Sequence, residues 1–287
     1  MAAADDSAVP VPAPLRGRRL GAAFWCAVAW IVAVLGAALL APWLGLPSPT
    51  DMDMLATRAG PSARHWLGTD GFGRDVASRL VFGARTSLTV GLIAPLIGLF
   101  VGGAAGMLAG YFRGRFDTLV VGGVDVLLAF PPLVLALAVT AYLGQSLLNM
   151  TLILGILGIP AFTRVARATT LVFAQREFVT AARAQGATHA RILLHELLPN
   201  VMLPLAAFLL VAIAVTIVVE GSLSFLGLGV APPSPSWGSM IGEGRESLET
   251  AAWLAFTPAA VMFATVLAFN LVGDILRALT DPHRAPR

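Results

Sequence analysis

Residues 197–219 read LLPNVMLPLAAFLLVAIAVTIVV, an uncharged stretch of 23 residues between Glu196 and Glu220. An α-helix rises about 1.5 Å per residue, so about 20 apolar residues cross a hydrocarbon core of about 30 Å. The stretch is therefore long enough to span a membrane. The whole chain has this character, since 57% of its 287 residues are hydrophobic and only 12% are charged, about half the charged share of a soluble domain. The composition excludes a disordered chain and a soluble domain, and it predicts an integral membrane protein.

Uncharged stretches of similar length occur along the rest of the chain. Residues 118–163 contain a single charge, Asp125, and are long enough for two helices joined by a turn at residues 144–146. The other uncharged stretches are 20–46, 86–112 and 250–273. Together they predict an all-α, polytopic membrane protein with six transmembrane helices.

The arginines set the predicted orientation, because the cytoplasmic loops of membrane proteins are enriched in basic residues. If both termini are cytoplasmic, thirteen arginines lie on the cytoplasmic side and six lie outside. We therefore expect both termini in the cytoplasm. The predicted parts of the chain are, in order, a cytoplasmic tail (1–19), a first helix with an extracytoplasmic segment (20–85), a core of five helices that includes a cytoplasmic loop at about 164–199 (86–276), and a second cytoplasmic tail (277–287).

The residue types exclude several kinds of chemistry. All nineteen basic residues are arginine, whereas a nucleotide-binding P-loop needs a lysine to reach the phosphates. The chain is therefore not predicted to hydrolyse ATP by itself. Its one cysteine, Cys26, has no partner within the chain for a disulfide, and its four histidines lack the spacing of metal ligands. We predict no catalytic site, no metal site, no cofactor and no nucleic-acid partner for this chain.

Four glycines recur at every fourth residue of the second predicted helix, namely Gly98, Gly102, Gly106 and Gly110. This spacing places them along one face, where small residues let another helix approach closely. The pattern predicts a helix-packing surface. It leaves open whether that surface is a fixed contact or a seam that slides or dimerises.

Asp125 is the one charge inside a predicted span. It lies eight residues beyond Asp117, which places it about 12 Å into the membrane. A carboxylate near the membrane centre costs about 3 kcal/mol or more unless it faces water or a partner. Because no arginine lies inside a predicted span, we expect Asp125 to face a hydrated pathway or the bundle interior, or to be protonated. It is a candidate either for a structural polar contact or for the translocation pathway.

Two other features are expected at a membrane surface. Residues 74–85 alternate arginines with apolar side chains, and they predict an amphipathic helix that lies on the outer surface. Such a helix would pack on the membrane surface or contact a partner protein. Glu220 and Asp274 lie at the ends of predicted spans, where we expect solvation at the interface.

The cytoplasmic stretch between the fourth and fifth spans predicts a compact knob. Residues 178–185 are typical of a short helix, and Gly186 is placed to end it in the left-handed conformation. Thr188 is a suitable cap for a second helix, and Pro199 marks the expected start of the next span. From spacing alone, an ordinary connection between two helices remains an equal alternative.

The spacing of Thr180-Ala181-Ala182, Gly186 and Leu198-Pro199 resembles the EAA loop of bacterial ABC-importer permeases. The resemblance is greatest to the C-type subunit of the dipeptide/oligopeptide/nickel subfamily. Four further blocks of the chain are similar to that subfamily and follow in the same order, at residues 65–75, 124–131, 222–238 and 268–282. One departure is Thr180, which stands where the motif has its glutamate.

The resemblance implies the fold of a type I ABC importer permease in a bacterial inner membrane. In that family the EAA loop forms a coupling helix on a separate ATPase subunit, which binds ATP and magnesium. An extracytoplasmic peptide-binding protein, a second, non-identical permease and membrane lipid are the other implied partners. The implied cargo is short peptides, with nickel, glutathione or another small solute as alternatives. A proton-coupled carrier that uses Asp125 and a non-transporting assembly protein are rival interpretations.

Overall fold

The computed structural model describes residues 21–280, and its regular elements are helices. One isolated β-bridge pairs Thr69 with Asp75. The all-α prediction is therefore confirmed for the described part of the chain. The predicted tail at 1–19 lies outside the described residues, as do residues 281–287 of the predicted C-terminal tail.

The helices are numbered here in chain order. The first half contains α1 (Ala22–Leu40) with a 3₁₀ turn (Ala41–Trp43), α2 (Val76–Ile97), a π turn (Gly98–Gly102), α3 (Gly103–Phe112), α4 (Gly114–Leu128) and α5 (Pro132–Leu143). The second half contains α6 (Leu147–Phe173), α7 (Glu177–Ala184), α8 (His189–Arg191), a π turn (Ile192–Leu197), α9 (Leu198–Phe225), α10 (Trp237–Arg245) and α11 (Trp253–Thr280). The two π turns join the helices on either side into long continuous spans.

Five segments of the described chain are long and apolar enough to cross a membrane: Ala22–Trp43, Val76–Phe112, Leu147–Phe173, His189–Phe225 and Trp253–Ala278. Helices α4 and α5 pass the same test only together, with a bend of 76° between them. The predicted six spans are confirmed when this bent pair counts as one. The predicted turn at 144–146 is also confirmed, since Gly144 ends α5 with a φ of +85° and Ser146 caps α6.

The bend between α4 and α5 is a feature that the hydropathy pattern did not predict. Helix α4 ends at Leu128, and Pro131 and Pro132 open α5. A proline has no backbone N–H to donate to the preceding turn, and it disfavours the helical conformation in the residue before it. Two consecutive prolines therefore interrupt the span, although the residues around them are apolar.

Helices α6 and α9 form the centre of the bundle. Helix α6 packs along α2 and α3, and α9 packs along α11, α2 and α10, while α1 lies against α2 and α11. The largest buried side chain is Trp237 at the start of α10, whose indole N–H donates to the Leu80 carbonyl oxygen at 3.1 Å. This contact fixes α10 against α2 within the bundle.

The prediction of a surface helix at residues 74–85 is wrong. Helix α2 begins at Val76, where the Asp75 carboxylate accepts a hydrogen bond from the Ser78 N–H at 2.7 Å, and it continues directly into the second span. Arg74 and Arg79 are only 4% and 2% exposed. They point into the protein, where Asp70 and the distant Glu243 neutralise their charge.

Glu220 is also placed differently from the prediction. Helix α9 continues past this residue to Phe225, so Glu220 lies inside a helix and is fully buried. The Ser224 hydroxyl donates to its carboxylate at 2.7 Å. The protein thus bonds one carboxylate oxygen, Oε1, whereas Oε2 is buried without a hydrogen-bond partner among the described residues. Asp274, in contrast, is exposed on α11.

Candidate functional site

Helix α7 ends in the conformation predicted from Gly186. The glycine has a φ of +78°, its N–H donates to the Arg183 carbonyl oxygen at 3.0 Å, and the Ala187 N–H donates to the Ala182 carbonyl oxygen at 3.0 Å. These two bonds form a Schellman motif, in which the left-handed residue reverses the chain and satisfies the last carbonyls of the helix. The chain therefore turns sharply after α7.

The next helix begins at the predicted cap and is longer than predicted. The Thr188 hydroxyl accepts a hydrogen bond from the Arg191 N–H at 3.3 Å, and the helix then continues from His189 to Phe225 without a break. Pro199 therefore does not begin a separate helix. Pro199 occupies the first turn of α9, directly after the π turn, where the altered hydrogen-bond register tolerates its missing N–H.

One side of α7 is buried against the bundle, and the other side is exposed. Val179 is fully buried in an apolar cluster with Ile192, Leu193 and Leu197. Thr180 and Ala181 are exposed, and Ala182 is half-buried. The helix thus presents a small, exposed surface at one end of the bundle, which we call the α7 end.

The C-terminal end of α3 contacts the base of this knob through Tyr111. Its hydroxyl is hydrogen-bonded to Nδ1 of His189 at 2.8 Å, and the Arg183 guanidinium lies 5.5 Å from the centre of its ring. Tyr111 is buried, with 8% of its surface exposed. The sequence analysis missed this contact because no local pattern pairs residues that are this far apart in the chain.

The glycine ladder faces α6 of the same chain. A Cβ on Gly98 would lie 2.7 Å from the Phe162 ring, and one on Gly110 would lie 2.8 Å from the Arg167 carbonyl oxygen. Cβ atoms on Gly102 and Gly106 would collide with backbone carbonyl oxygens of α6. The ladder is therefore a close contact within the chain, and its face is not free to form a dimer seam.

Asp125 is paired with an arginine, contrary to the expectation that no arginine lies inside a span. Helix α6 extends to Phe173, so both Arg164 and Arg167 belong to a span. Arg164 Nη2 donates to Asp125 Oδ1 at 2.8 Å, and the two side chains are 60% and 56% exposed. Arg167 binds Asp117 through two hydrogen bonds of 2.5 and 2.6 Å. Two ion pairs thus connect α4 to α6.

A second charged cluster lies at the end of the bundle opposite α7. Arg74 donates to Asp70 at 2.7 Å and to Glu243 at 2.6 Å, and Arg79 donates to both oxygens of Glu243 at 2.9 and 3.0 Å. The cluster borders a cavity of about 380 Å³ that Arg58 and Glu246 also line. These bonds fasten the segment before α2 to α10 and give this end a defined, charged surface.

The described residues contain no group of three or more histidine, cysteine, aspartate or glutamate side chains arranged to hold a metal ion. The arrangement as a whole provides an exposed helix at one end, a charged cavity at the other, and an exposed ion pair on the helices between them.

Comparison with known protein families matches residues 102–285 to the family described as the binding-protein-dependent transport system inner membrane component. The glutathione transport system permease protein GsiD of Pectobacterium atrosepticum is 43% identical over 78% of this chain and 74% of its own length. The GsiD protein of Escherichia coli O6:K15:H31 is 40% identical over 89% of this chain and 85% of its own length. The dipeptide transport system permease protein DppC of Alkalihalophilus pseudofirmus is 39% identical over 85% of this chain and 81% of its own length.

Among solved structures, inward-facing forms of the MetNI methionine ABC transporter have a similar fold. One matches with a TM-score of 0.58 and 20% identity over 71% of this chain and 97% of the matched chain. This likeness confirms the predicted fold of a type I ABC importer permease. The chain therefore belongs to the family of binding-protein-dependent transport system inner membrane components, and it is a permease subunit of an ABC importer that has no ATPase activity of its own.

Proposed function

We propose that this permease moves short peptides, di- and oligopeptides, from an extracytoplasmic binding protein into the cytoplasm. The observation that carries the proposal is the 39–43% identity, over 78–89% of the chain, to permeases named for dipeptide and glutathione transport. Glutathione is itself a tripeptide, so both names describe small peptide cargo. Glutathione is accordingly the second candidate, favoured by the 40% identity to GsiD over 89% of the chain.

Helix α7 is proposed as the coupling helix that contacts the ATP-binding subunit. Thr180 and Ala181 are exposed there, and the left-handed Gly186 sets the angle at which the helix projects. Leu198 and Pro199 open α9 directly behind it. The ATP and magnesium that drive transport belong to the ATPase subunits, and this chain needs no cofactor.

A second, non-identical permease is proposed to cover the bent pair α4–α5. Val124 is the one buried residue of α4, and Ala136 and Thr140 are those of α5. Large apolar side chains on both helices are exposed, among them Leu119 at 75% and Val134 at 58%. This chain alone thus buries only a small part of α4 and α5. The uncovered apolar surface supports a neighbouring subunit on that side.

The proposed location is the bacterial inner membrane, with both termini and the α7 end in the cytoplasm. Without Arg164 and Arg167, which lie inside α6, eleven arginines on the cytoplasmic side against six outside support this orientation. It places the charged cavity near Arg79 and Glu243 on the outside, facing the binding protein. Asp125 is proposed to lie on the translocation pathway between the two ends, because an exposed charge inside a span is unfavourable against lipid.

Uptake of a radiolabelled dipeptide into sealed vesicles that contain the reconstituted importer tests the proposal. We expect uptake that requires internal ATP and the binding protein, and that continues when an ionophore collapses the proton gradient. Uptake that stops with the ionophore would instead indicate a proton-coupled carrier. Uptake of glutathione without uptake of the dipeptide would instead support glutathione, the second candidate, as the cargo.

A further inference from the structure

The ion pair between Asp125 and Arg164 lies well inside two of the helices that form the spans. Asp125 is 11 residues from the start of α4, and Arg164 is 9 residues from the end of α6. At about 1.5 Å per residue these distances are about 16 Å and 14 Å from the α7 end. The two helices therefore place their charges at similar distances from that end.

This pair is exposed to a degree that hydrocarbon does not tolerate. Arg164 and Asp125 have 60% and 56% of their side-chain surfaces exposed. A charged group inside a span is unfavourable against lipid, so the pair belongs on a surface that lipid does not cover. Its neighbour Arg167–Asp117 is 34% and 17% exposed and lies closer to the α7 end.

The two ion pairs also differ in the number of hydrogen bonds that join their side chains. Arg167 and Asp117 form a two-bonded fork, whereas a single hydrogen bond of 2.8 Å joins Arg164 to Asp125. A guanidinium has several N–H donors and a carboxylate has several acceptor sites. The Asp125–Arg164 pair therefore retains unused donors and acceptors on both side chains.

A short peptide carries the complementary charges, with an ammonium at its N-terminus and a carboxylate at its C-terminus. A carboxylate binds an ammonium, and a guanidinium binds a carboxylate through paired, charge-assisted hydrogen bonds. The termini of a peptide can thus replace the contact between Asp125 and Arg164, and every charge remains paired. A fully extended dipeptide is about 7 Å long, so binding requires the two side chains to separate.

Resting on the proposed peptide cargo, we propose that Asp125 and Arg164 form a transient binding site for peptide termini within the membrane. Asp125 holds the N-terminal ammonium and Arg164 holds the C-terminal carboxylate. In the empty permease the two side chains neutralise each other. The site then recognises the two charged termini that every linear peptide has, and it does not distinguish peptides by their side chains.

Binding of three probes to the assembled importer in nanodiscs, without the binding protein, tests the proposal. The probes are Ala-Ala, N-acetyl-Ala-Ala and Ala-Ala-amide, each measured without nucleotide and with ATP and vanadate. We expect the unmodified importer to bind Ala-Ala at least tenfold more tightly than either blocked peptide in one of these states. Absence of saturable Ala-Ala binding in both states would overturn the proposal without any mutation.

Variants assign each terminus to one residue. Asp125→Asn should abolish the preference over the acetylated peptide and keep the preference over the amide, and Arg164→Gln should do the reverse. Asp117→Asn and Arg167→Gln, which alter the neighbouring pair in the same way, should leave both preferences unchanged. Unaltered selectivity in Asp125→Asn and Arg164→Gln would overturn the proposal. Loss of the second permease from the complex in either of these variants would also overturn it, because the ion pair would then belong to the subunit interface.

The vesicle assay separates this proposal from the proposed function. One outcome is that the unmodified importer takes up dipeptide while Asp125→Asn and Arg164→Gln leave the terminus preferences intact. In that case the proposed binding site is wrong and the proposed peptide cargo is supported. If the unmodified importer takes up no dipeptide, the proposed cargo itself is wrong.

Discussion

The Tyr111 hydroxyl and the His189 Nδ1 lie 2.8 Å apart, although the two residues are 78 positions apart in the chain. The contact joins the end of the second span to the first residue of α8, and Arg183 of α7 lies over the same tyrosine ring. If α7 is the coupling helix, its displacement would reach the second span at this point. The ATPase would act on the bundle through this connection.

Tyr111→Phe should weaken this connection without disturbing packing, because the ring is retained and only the hydroxyl is removed. A hydrogen bond contributes about 0.5–1.5 kcal/mol, so we expect solute transported per ATP hydrolysed to fall roughly two- to tenfold. Transport and phosphate release measured in the same vesicles give this ratio. Tyr142→Phe is the matched control, since Tyr142 is 89% exposed, and an equal ratio in both variants would contradict the assigned role.

Gly186→Val should impair transport while the chain still inserts and assembles. The left-handed conformation at this position, with a φ of +78°, is strongly unfavourable for a β-branched residue. Steric collision is not the cause, because no atom would lie within 4 Å of an added Cβ. Gly186→Asn is the control, since asparagine adopts this conformation more readily. Normal uptake by the valine variant would show that the angle of α7 does not matter.

Gly106→Val should destabilise the folded bundle. A Cβ at this position would collide with the Thr163 carbonyl oxygen on α6, and forcing extra atoms into a packed contact costs about 1–3 kcal/mol. We expect a lower unfolding temperature in detergent and a smaller yield of folded protein. Gly122→Val is the matched control, because nothing lies within 4 Å of a Cβ there. Similar melting of the two variants would refute close packing of the ladder against α6.

Arg79→Gln should loosen the end of the bundle opposite α7. Arg79 is 2% exposed, and its loss would leave Glu243 without two of its hydrogen bonds. Breaking a buried pair costs about 3–5 kcal/mol, and the partial exposure of Glu243, 37% of its side chain, reduces that cost. We expect faster proteolysis of residues 44–75. Arg85→Gln, at an exposed position of the same helix, should leave the digestion rate unchanged.

The local features of this fold were predictable, because they depend on neighbouring residues. Hydropathy located the spans, and the breaks at Gly144 and Gly186 and the cap at Thr188 follow from the conformations that these residues favour. The resemblance then assigned the family, which the comparisons confirmed.

The contacts that local pattern could not reveal are those between charges distant in sequence. Arg79 reads as an exposed arginine of a surface helix, yet Glu243, 164 positions away, draws it into the protein. Arg164 reads as a loop residue, yet it lies inside α6 and pairs with Asp125. In both cases the arginine pairs with a carboxylate that is distant in sequence, and no spacing rule encodes that pairing.

The bend between α4 and α5 has a consequence for the life of the chain in a cell. The two pieces have 15 and 12 residues, so at about 1.5 Å per residue neither crosses a bilayer alone. The peptide groups released at the bend find no water among lipid tails, and only another polypeptide or an aqueous cleft shelters them. We therefore expect a copy made without a neighbouring subunit to leave these peptide groups unprotected at the bend, and to be degraded by quality-control proteases faster than the assembled protein.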